Sequence, residues 1–312
     1  MRATALLFLC CCALVSRAQQ IPQYTQYVFN HFSVNPAVAG SKDCLDVRLG
    51  YRQQWVGFPG APTTGWASLH GSIRPKNKPY IKNRHGFGAF IEADETGPLG
   101  YTLFYLAYAY HVQMAKDYYL SMGFFAGVKQ QKIDLGAVKV IDPGDPLLAN
   151  DGSVIVAPEV WPGVWLYSKN GWAGLSMPQV LGNRIKDVGE NSRLTRHFLA
   201  SAGRRIRLNK RMGLVPSTLL KFSPASPLAF DLNMMLEYKR KLGIGLSYRN
   251  QDAVAFMLKV PFLKFFTLGY SYDVNTSRLR VANANTHEVI LAIYPCGGDD
   301  PSKAIVRCPV FE

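Results

Sequence analysis

From residue 45 onward the side chains alternate between apolar and polar with a period of two. In the stretch 230–238, Phe230, Leu232, Met234, Leu236 and Tyr238 fall on one face, and Asp231, Asn233, Met235 and Glu237 on the other. Leu242, Ile244, Leu246 and Tyr248 alternate with Gly243, Gly245, Ser247 and Arg249; Phe266, Leu268, Tyr270 and Tyr272 alternate with Thr267, Gly269, Ser271 and Asp273. Tyr118 to Lys129 repeats the pattern. A strand places such residues on opposite faces, whereas a helix would scatter them. Counting every segment of this kind predicts about fourteen strands, near 45–55, 64–73, 85–94, 101–113, 118–129, 159–168, 171–178, 197–206, 213–222, 230–238, 242–249, 253–260, 266–273 and 287–294.

An even number of strands, each long enough to cross the hydrocarbon core when tilted, suits an all-β antiparallel outer-membrane barrel. The polar faces carry charge and glycine, which fits a wet or plugged lumen better than the dry core of a secreted β-sandwich, the competing architecture. The connections alternate as well. Those after even-numbered strands are mostly short and basic, such as Ala115-Lys116-Asp117, Ser168-Lys169-Asn170 and Lys239-Arg240-Lys241. Those after odd-numbered strands include the long ones, 56–63, 130–157, 179–196 and 274–286. Short periplasmic turns, longer outer loops and periplasmic N- and C-termini are the arrangement this predicts. The connection from Arg74 to Arg84 is the exception, being long on the turn side. Trp55, Tyr118, Tyr238, Tyr272 and Tyr294 are expected in the interfacial aromatic girdles.

Ahead of the strands, residues 1–18 read as an export signal: Arg2, an apolar run from Ala3 to Val15, and the small-x-small site Ser16-Arg17-Ala18. Residues 19–43 lack alternation and form an irregular segment expected in the lumen or on the periplasmic side. The barrel then covers 44–294 and a tail 295–312. The chain of 312 residues has a formal charge of +14. Its basic residues are scattered over turns and polar faces rather than clustered in a stripe, which excludes nucleic acid as a partner and points to anionic outer-membrane lipid. Beyond the signal, Cys44, Cys296 and Cys308 remain. Export brings them to an oxidising compartment, so Cys296 and Cys308, flanking a Gly-Gly-Asp-Asp-Pro turn, are expected to pair and leave Cys44 unpaired.

No constellation of catalytic residues stands out, and no cofactor or metal is expected. His287-Glu288 opens a strand and lacks the second histidine of a zinc helix. The residues do carry a resemblance. Gln23-Tyr24-Thr25-Gln26-Tyr27-Val28-Phe29-Asn30 followed by Asn35-Pro36-Ala37-Val38-Ala39-Gly40 resembles the start of the PorP/SprF family of type IX secretion membrane proteins. Tyr51-Arg52-Gln53-Gln54-Trp55-Val56-Gly57-Phe58-Pro59-Gly60 resembles its next block. Gly174-Leu175-Ser176-Met177-Pro178, Ser247-Tyr248-Arg249, Gly269-Tyr270-Ser271-Tyr272-Asp273 and Thr286-His287-Glu288 follow in family order.

That resemblance implies a non-enzymatic outer-membrane barrel of a Gram-negative bacterium, serving type IX secretion or gliding. Its implied partners are ring or lipoprotein components of the machinery, and secreted cargo or adhesin C-terminal domains. Asn35, Pro36, Gly40, Arg52, Trp55, Gly57, Tyr272, Asp273, His287 and Glu288 are the motif residues, read as structural turns or partner contacts. A solute channel or lipid transporter is the alternative function. Bulky Phe125, Trp165 and Tyr167 on the polar faces argue for a filled interior instead.

Overall fold

The computed structural model describes residues 23–42, 44–73, 83–134, 154–183, 194–224, 226–250, 252–263, 265–276 and 285–294. Its strands are β1 (Asp46–Gln53), β2 (Thr63–Ile73), β3 (Arg84–Thr96), β4 (Leu99–Ala115), β5 (Tyr118–Ile133), β6 (Val154–Tyr167), β7 (Gly171–Ser176) and β8 (Phe198–Arg204). There follow β9 (Ile206–Arg207), β10 (Met212–Ser223), β11 (Ser226–Tyr238), β12 (Leu242–Arg249), β13 (Ala253–Phe262), β14 (Phe266–Asn275) and β15 (Thr286–Ile293). Gly203 of β8 faces Ser217 and Ile206 of β9 faces Leu214, so the register against β10 runs unbroken through Arg205. Together β8 and β9 make one stave of the wall, which therefore has fourteen.

Each stave pairs antiparallel with the next, and β1 pairs with β15 to close the ring. Closure removes the free edges that an open sheet would leave unbonded in hydrocarbon. All the strands expected from the alternation are present. The face assignments follow too: Leu232, Met234, Leu246 and Phe256 are exposed on the outside, while Asp231, Asn233, Ser247 and Ala255 are buried inside.

The wall is uneven in height. β4 has 17 residues and β5 has 16, whereas β7 has 6. At roughly 3.3 Å per residue the longest stave is nearly twice as long as a bilayer-crossing strand of ~9 residues. The extra length sits at the loop end, so part of the expected 130–157 loop is strand: β5 runs to Ile133 and β6 begins at Val154. Residues 135–153, like the Arg74 side of the β2–β3 connection, lie outside the described residues.

Two other expectations are corrected. Tyr294 does not join the lipid-facing girdle. It follows β15 on the inward side, where its hydroxyl accepts from Arg48 Nη2 at 3.0 Å and its ring lies 4.6 Å from Lys42 Nζ. Cys44 is disulfide-bonded rather than unpaired. Its partner, like Cys296 and Cys308 themselves, lies outside the described residues. Carried three positions past the Val47–Ile293 pair, the β1–β15 numbering matches 44 with 296, which makes Cys296 the candidate partner. Cross-strand Cα spacings of about 4.5–5.5 Å fall within the range a disulfide bridges.

The expected pairing is thus Cys44–Cys296, with Cys308 left over. Non-reducing peptide mapping should recover a Cys44–Cys296 crosslinked peptide; a Cys296–Cys308 peptide would contradict the register argument. The face assignment predicts that Leu246→Arg destabilises the folded barrel by about 2–4 kcal/mol if it lies near the bilayer midplane. Leu246→Phe, apolar at the same site, should be near neutral. Denaturant unfolding in lipid, read by the gel shift between folded and heated barrel, compares the two.

Candidate functional site

The N-terminal segment runs through the barrel. Three short 3-10 turns, Thr25–Phe29, His31–Ser33 and Pro36–Val38, carry it, and every residue from Tyr24 to Lys42 is buried. It begins beside the loop-end residues of β1, β12, β14 and β15 and finishes at the turn end, where Asp46 opens the wall. Residues 24–42 therefore traverse the lumen and plug it.

The loop end of the plug is held by charge. Arg52 donates to Glu288 Oε2 at 2.7 Å, to Asp273 Oδ2 at 3.0 Å and to Thr25 Oγ1 at 2.8 Å. Thr25 Oγ1 also accepts from Arg249 Nη2 and donates to Asp273. A hydroxyl has one donor and two acceptor sites, and here all are used. The Thr25 and Gln26 backbone N–H groups donate to the Glu288 carboxylate at 2.9 and 3.2 Å, and Gln26 Nε2 donates to the Glu288 carbonyl at 2.8 Å. Arg249 bridges onward to Asp252 at 2.7 Å, and Lys221 joins Asp231 at 2.9 Å to Gln23 at 3.2 Å.

Lower down, the plug is gripped through its backbone. Ser176, Ser121 and His111 reach the carbonyls of Val34, Ala37 and Ala39 at 2.6, 2.7 and 2.7 Å, and Arg84 donates to Ser41 O at 2.7 Å. Asn35 caps the third turn, its Oδ1 accepting from Ala37 N at 3.0 Å, and Pro36 supplies the first helical φ. The Asn35 amide donates to the carbonyls of Val164 and Leu175 at 3.0 and 3.1 Å. Only glycine in the wall permits this: a Cβ on Gly163 would stand 2.2 Å from Asn35 Oδ1. Gly40, at φ +72°, packs so tightly on Gly86 that a Cβ on Gly86 would meet Ala39 O at 1.9 Å. Between the two polar ends, Phe32 packs on Phe125 at 4.9 Å and His31 on Trp165 and Trp172 at 5.2 and 4.9 Å between ring centroids.

Residues 16–293 match the family model described as Type IX secretion system membrane protein PorP/SprF. The chain belongs to that family. No curated protein matches this PorP/SprF chain. Among solved structures it is similar to the toluene transporter TbuX of Ralstonia pickettii, at 11% identity and a TM-score of 0.51, over 90% of this chain and 96% of that one. A FadL homologue of Pseudomonas aeruginosa, at 10% identity and a TM-score of 0.46, covers 88% of this chain and 94% of that one. At 11% identity the likeness to TbuX is one of fold. Family and fold together place the PorP/SprF chain in the outer membrane.

The motif residues divide into three groups. Asn35, Pro36, Gly40, Arg52, Asp273 and Glu288 come together along the plug and its wall contacts. Trp55 and Gly57 form a loop-end turn, with left-handed φ of 46° and 88°. That turn is fastened to the start of β15 by Trp55 N to Thr286 Oγ1 at 3.2 Å and Val56 N to Asn285 O at 2.9 Å. Tyr272 and His287 face outward, where Tyr272 OH accepts from Asn285 at 2.6 Å and His287 Nδ1 meets Tyr270 OH at 2.8 Å. Period two thus separates His287 from Glu288, which point through opposite faces of the wall.

Sequence reasoning missed Thr25, Arg249, Asp231 and Lys221 as members of the buried charge network. It also missed the inward glycines of β3, β5, β6 and β7. Isolated glycine on the lumen face of a strand is a signal for close approach of another backbone, and that signal was present at Gly86, Gly123, Gly163 and Gly174. Among the described residues no cluster of His, Cys, Asp or Glu forms a metal site.

Arg52→Ala leaves Asp273 and Glu288 facing each other without their shared cation, a change that costs about 3–5 kcal/mol in buried pairs. Gly86→Val should unseat the Ala39–Gly40 turn while leaving β3 paired. Hydrogen exchange on both variants is expected to show lost protection across 24–42 with the wall strands retained; unchanged protection in Gly86→Val would refute the packing described.

Proposed function

We propose that this outer-membrane barrel serves the export or surface attachment of particular cargo proteins by the type IX machinery, acting through its two ends rather than through an open pore. The observation carrying this reading is the plug. A lumen traversed by a buried segment, gripped at each level by side chains from the wall, offers its rims as working surfaces. The short basic turns, set toward the periplasm, contact ring or lipoprotein components. The long loops contact cargo, including adhesin C-terminal domains. Loops are the segments that carry recognition on rigid scaffolds.

The alternative is a solute channel or lipid transporter, for which the fold likeness to a toluene transporter lends a motive. An apolar recess beside the plug is bounded by Tyr24, Tyr27, Trp161, Leu199 and Leu219 and measures ≈ 60 Å³. An engineered protein cavity that admits benzene measures ~150 Å³. With the plug seated, the recess is too small for an aromatic solute, which favours the secretion reading.

Deleting the protein is expected to leave small-solute uptake intact while one secreted protein, or a small set, is retained in the cell or lost to the medium. Surface proteomics on the deletion strain, beside liposome-swelling assays on purified barrel, measures both. An unchanged surface proteome with reduced solute permeability would establish the channel instead.

A further inference from the structure

At the turn end, three neighbouring hairpins enclose a cleft of ≈ 860 Å³. The β8–β9 stave supplies Arg204 and Arg207, the following turn Lys210 and Arg211, and the β11–β12 turn Lys239 and Arg240. Arg205 is neutralised by Glu237 at 3.0 Å. Among the described residues, no carboxylate pairs with Arg204, Arg207, Lys210 or Arg211. So many cations held together repel one another, and the arrangement is stabilised when an anion enters.

The cleft is rigidly built. Arg205 N donates to Asn170 O at 2.8 Å, and Lys239 N to Arg211 O at 2.6 Å, tying each hairpin to its neighbour through the backbone. Asn209 Oδ1 accepts from Arg211 N and Met212 N at 2.8 and 2.7 Å, which fixes the turn between β9 and β10. The β11–β12 turn places Lys239 and Arg240 at φ of 49° and 60°. Asn or Gly adopts this pair of conformations more cheaply. Two cations are held there against backbone preference, and retained strain of this kind clusters at ligand clamps and switch regions.

The flank of the cleft identifies its occupant. Because the register is unbroken through Arg205, Ile206 and Leu208 point outward on the same side as Arg204, both exposed, at 44% and 53%, while Arg207 lies across the rim on the inner side with Arg205. Tyr238, also facing out, continues the apolar surface, with Lys239 Nζ 5.4 Å from its ring centroid. Cations at the very edge of an apolar, membrane-facing surface match a phosphate carrying acyl chains. A water-soluble acidic peptide would leave Ile206 and Leu208 uncovered.

We propose that this cleft binds the phosphate headgroup of an anionic glycerophospholipid, with its acyl chains lying along Ile206, Leu208 and Tyr238. The choice of glycerophospholipid rests on the reading that the short turns face the periplasm and hence the inner leaflet; the electrostatic match to a lipid phosphate does not. The test uses the full folded chain in zwitterionic nanodiscs, titrated separately with phosphatidylglycerol, with lipid A and with a synthetic poly-glutamate peptide, and read by native mass spectrometry. Phosphatidylglycerol should be retained in preference to both other probes. Arg207→Gln combined with Lys210→Gln and Arg211→Gln should reduce its retention at least tenfold, while Lys132→Gln, on β5 at the opposite end, should not. The single change Arg204→Gln, which leaves the turn intact, should lower retention severalfold and serves if the triple variant misfolds. Equal retention by wild type and both variants, or preference for poly-glutamate, would overturn the site. Preference for lipid A would overturn the assigned lipid. Protease access to a cleavage sequence inserted after Lys210 in intact cells reports which side the turns face, and so tests the orientation separately.

Discussion

The structure depends on Arg52 and the two carboxylates it holds. Arg52 lies on β1, Glu288 on β15 and Asp273 on β14, so the ion pairs of 2.7 and 3.0 Å span the seam where the last strand meets the first. Thr25 is seated on the same three groups. Closing the ring and filling it are thereby coupled. The carboxylates need a cation when water is excluded by the plug, and the plug's first backbone N–H groups need the carboxylates. Buried charges of this kind cost much to desolvate and repay it only when every partner is present. The network is a specification of one arrangement more than a source of net stability.

The barrel itself was legible because period two is short and repeats in every strand. The Phe230–Tyr238 stretch needs only nine residues to declare which side faces lipid. Turn positions were legible for the same reason, since Lys239-Arg240-Lys241 breaks the alternation. The plug was less so. Residues 24–42 have no period, because a segment surrounded by wall on all sides has no solvent face to set against a buried one. Its path is written instead in the wall, in Gly86, Gly163 and the inward arginines, and these make sense only after the strands have been brought together.

Tyr294 and Cys44 illustrate a related limit. An aromatic near a strand end reads as an interfacial anchor, yet whether it faces lipid or lumen depends on a register of one residue. Tyr294 falls on the inward side, over Lys42 and beside Arg48. For Cys44, proximity in sequence favoured the nearer pair of tail cysteines. That reasoning left out Cys44, which lies just ahead of β1 at the closing seam and is disulfide-bonded in the structure.

The path of the plug also sets the rate at which the barrel can change. The segment enters the wall at the turn end through Asp46 and has its other extremity locked to Arg52 at the loop end. Every described residue from Tyr24 to Lys42 is buried against the wall, so the segment is not a free arm that can swing aside. To clear the lumen toward the turns it must release Thr25 first and then draw its whole length past Phe125, Trp165 and Gly86, breaking each level of contact in succession. Such a movement behaves like extraction of a threaded cord, with a barrier that accumulates along the way, and not like the opening of a door. Any signal that is to unplug this barrel must therefore supply sustained force or bind the withdrawn segment, because brief fluctuation at one end returns to the seated state.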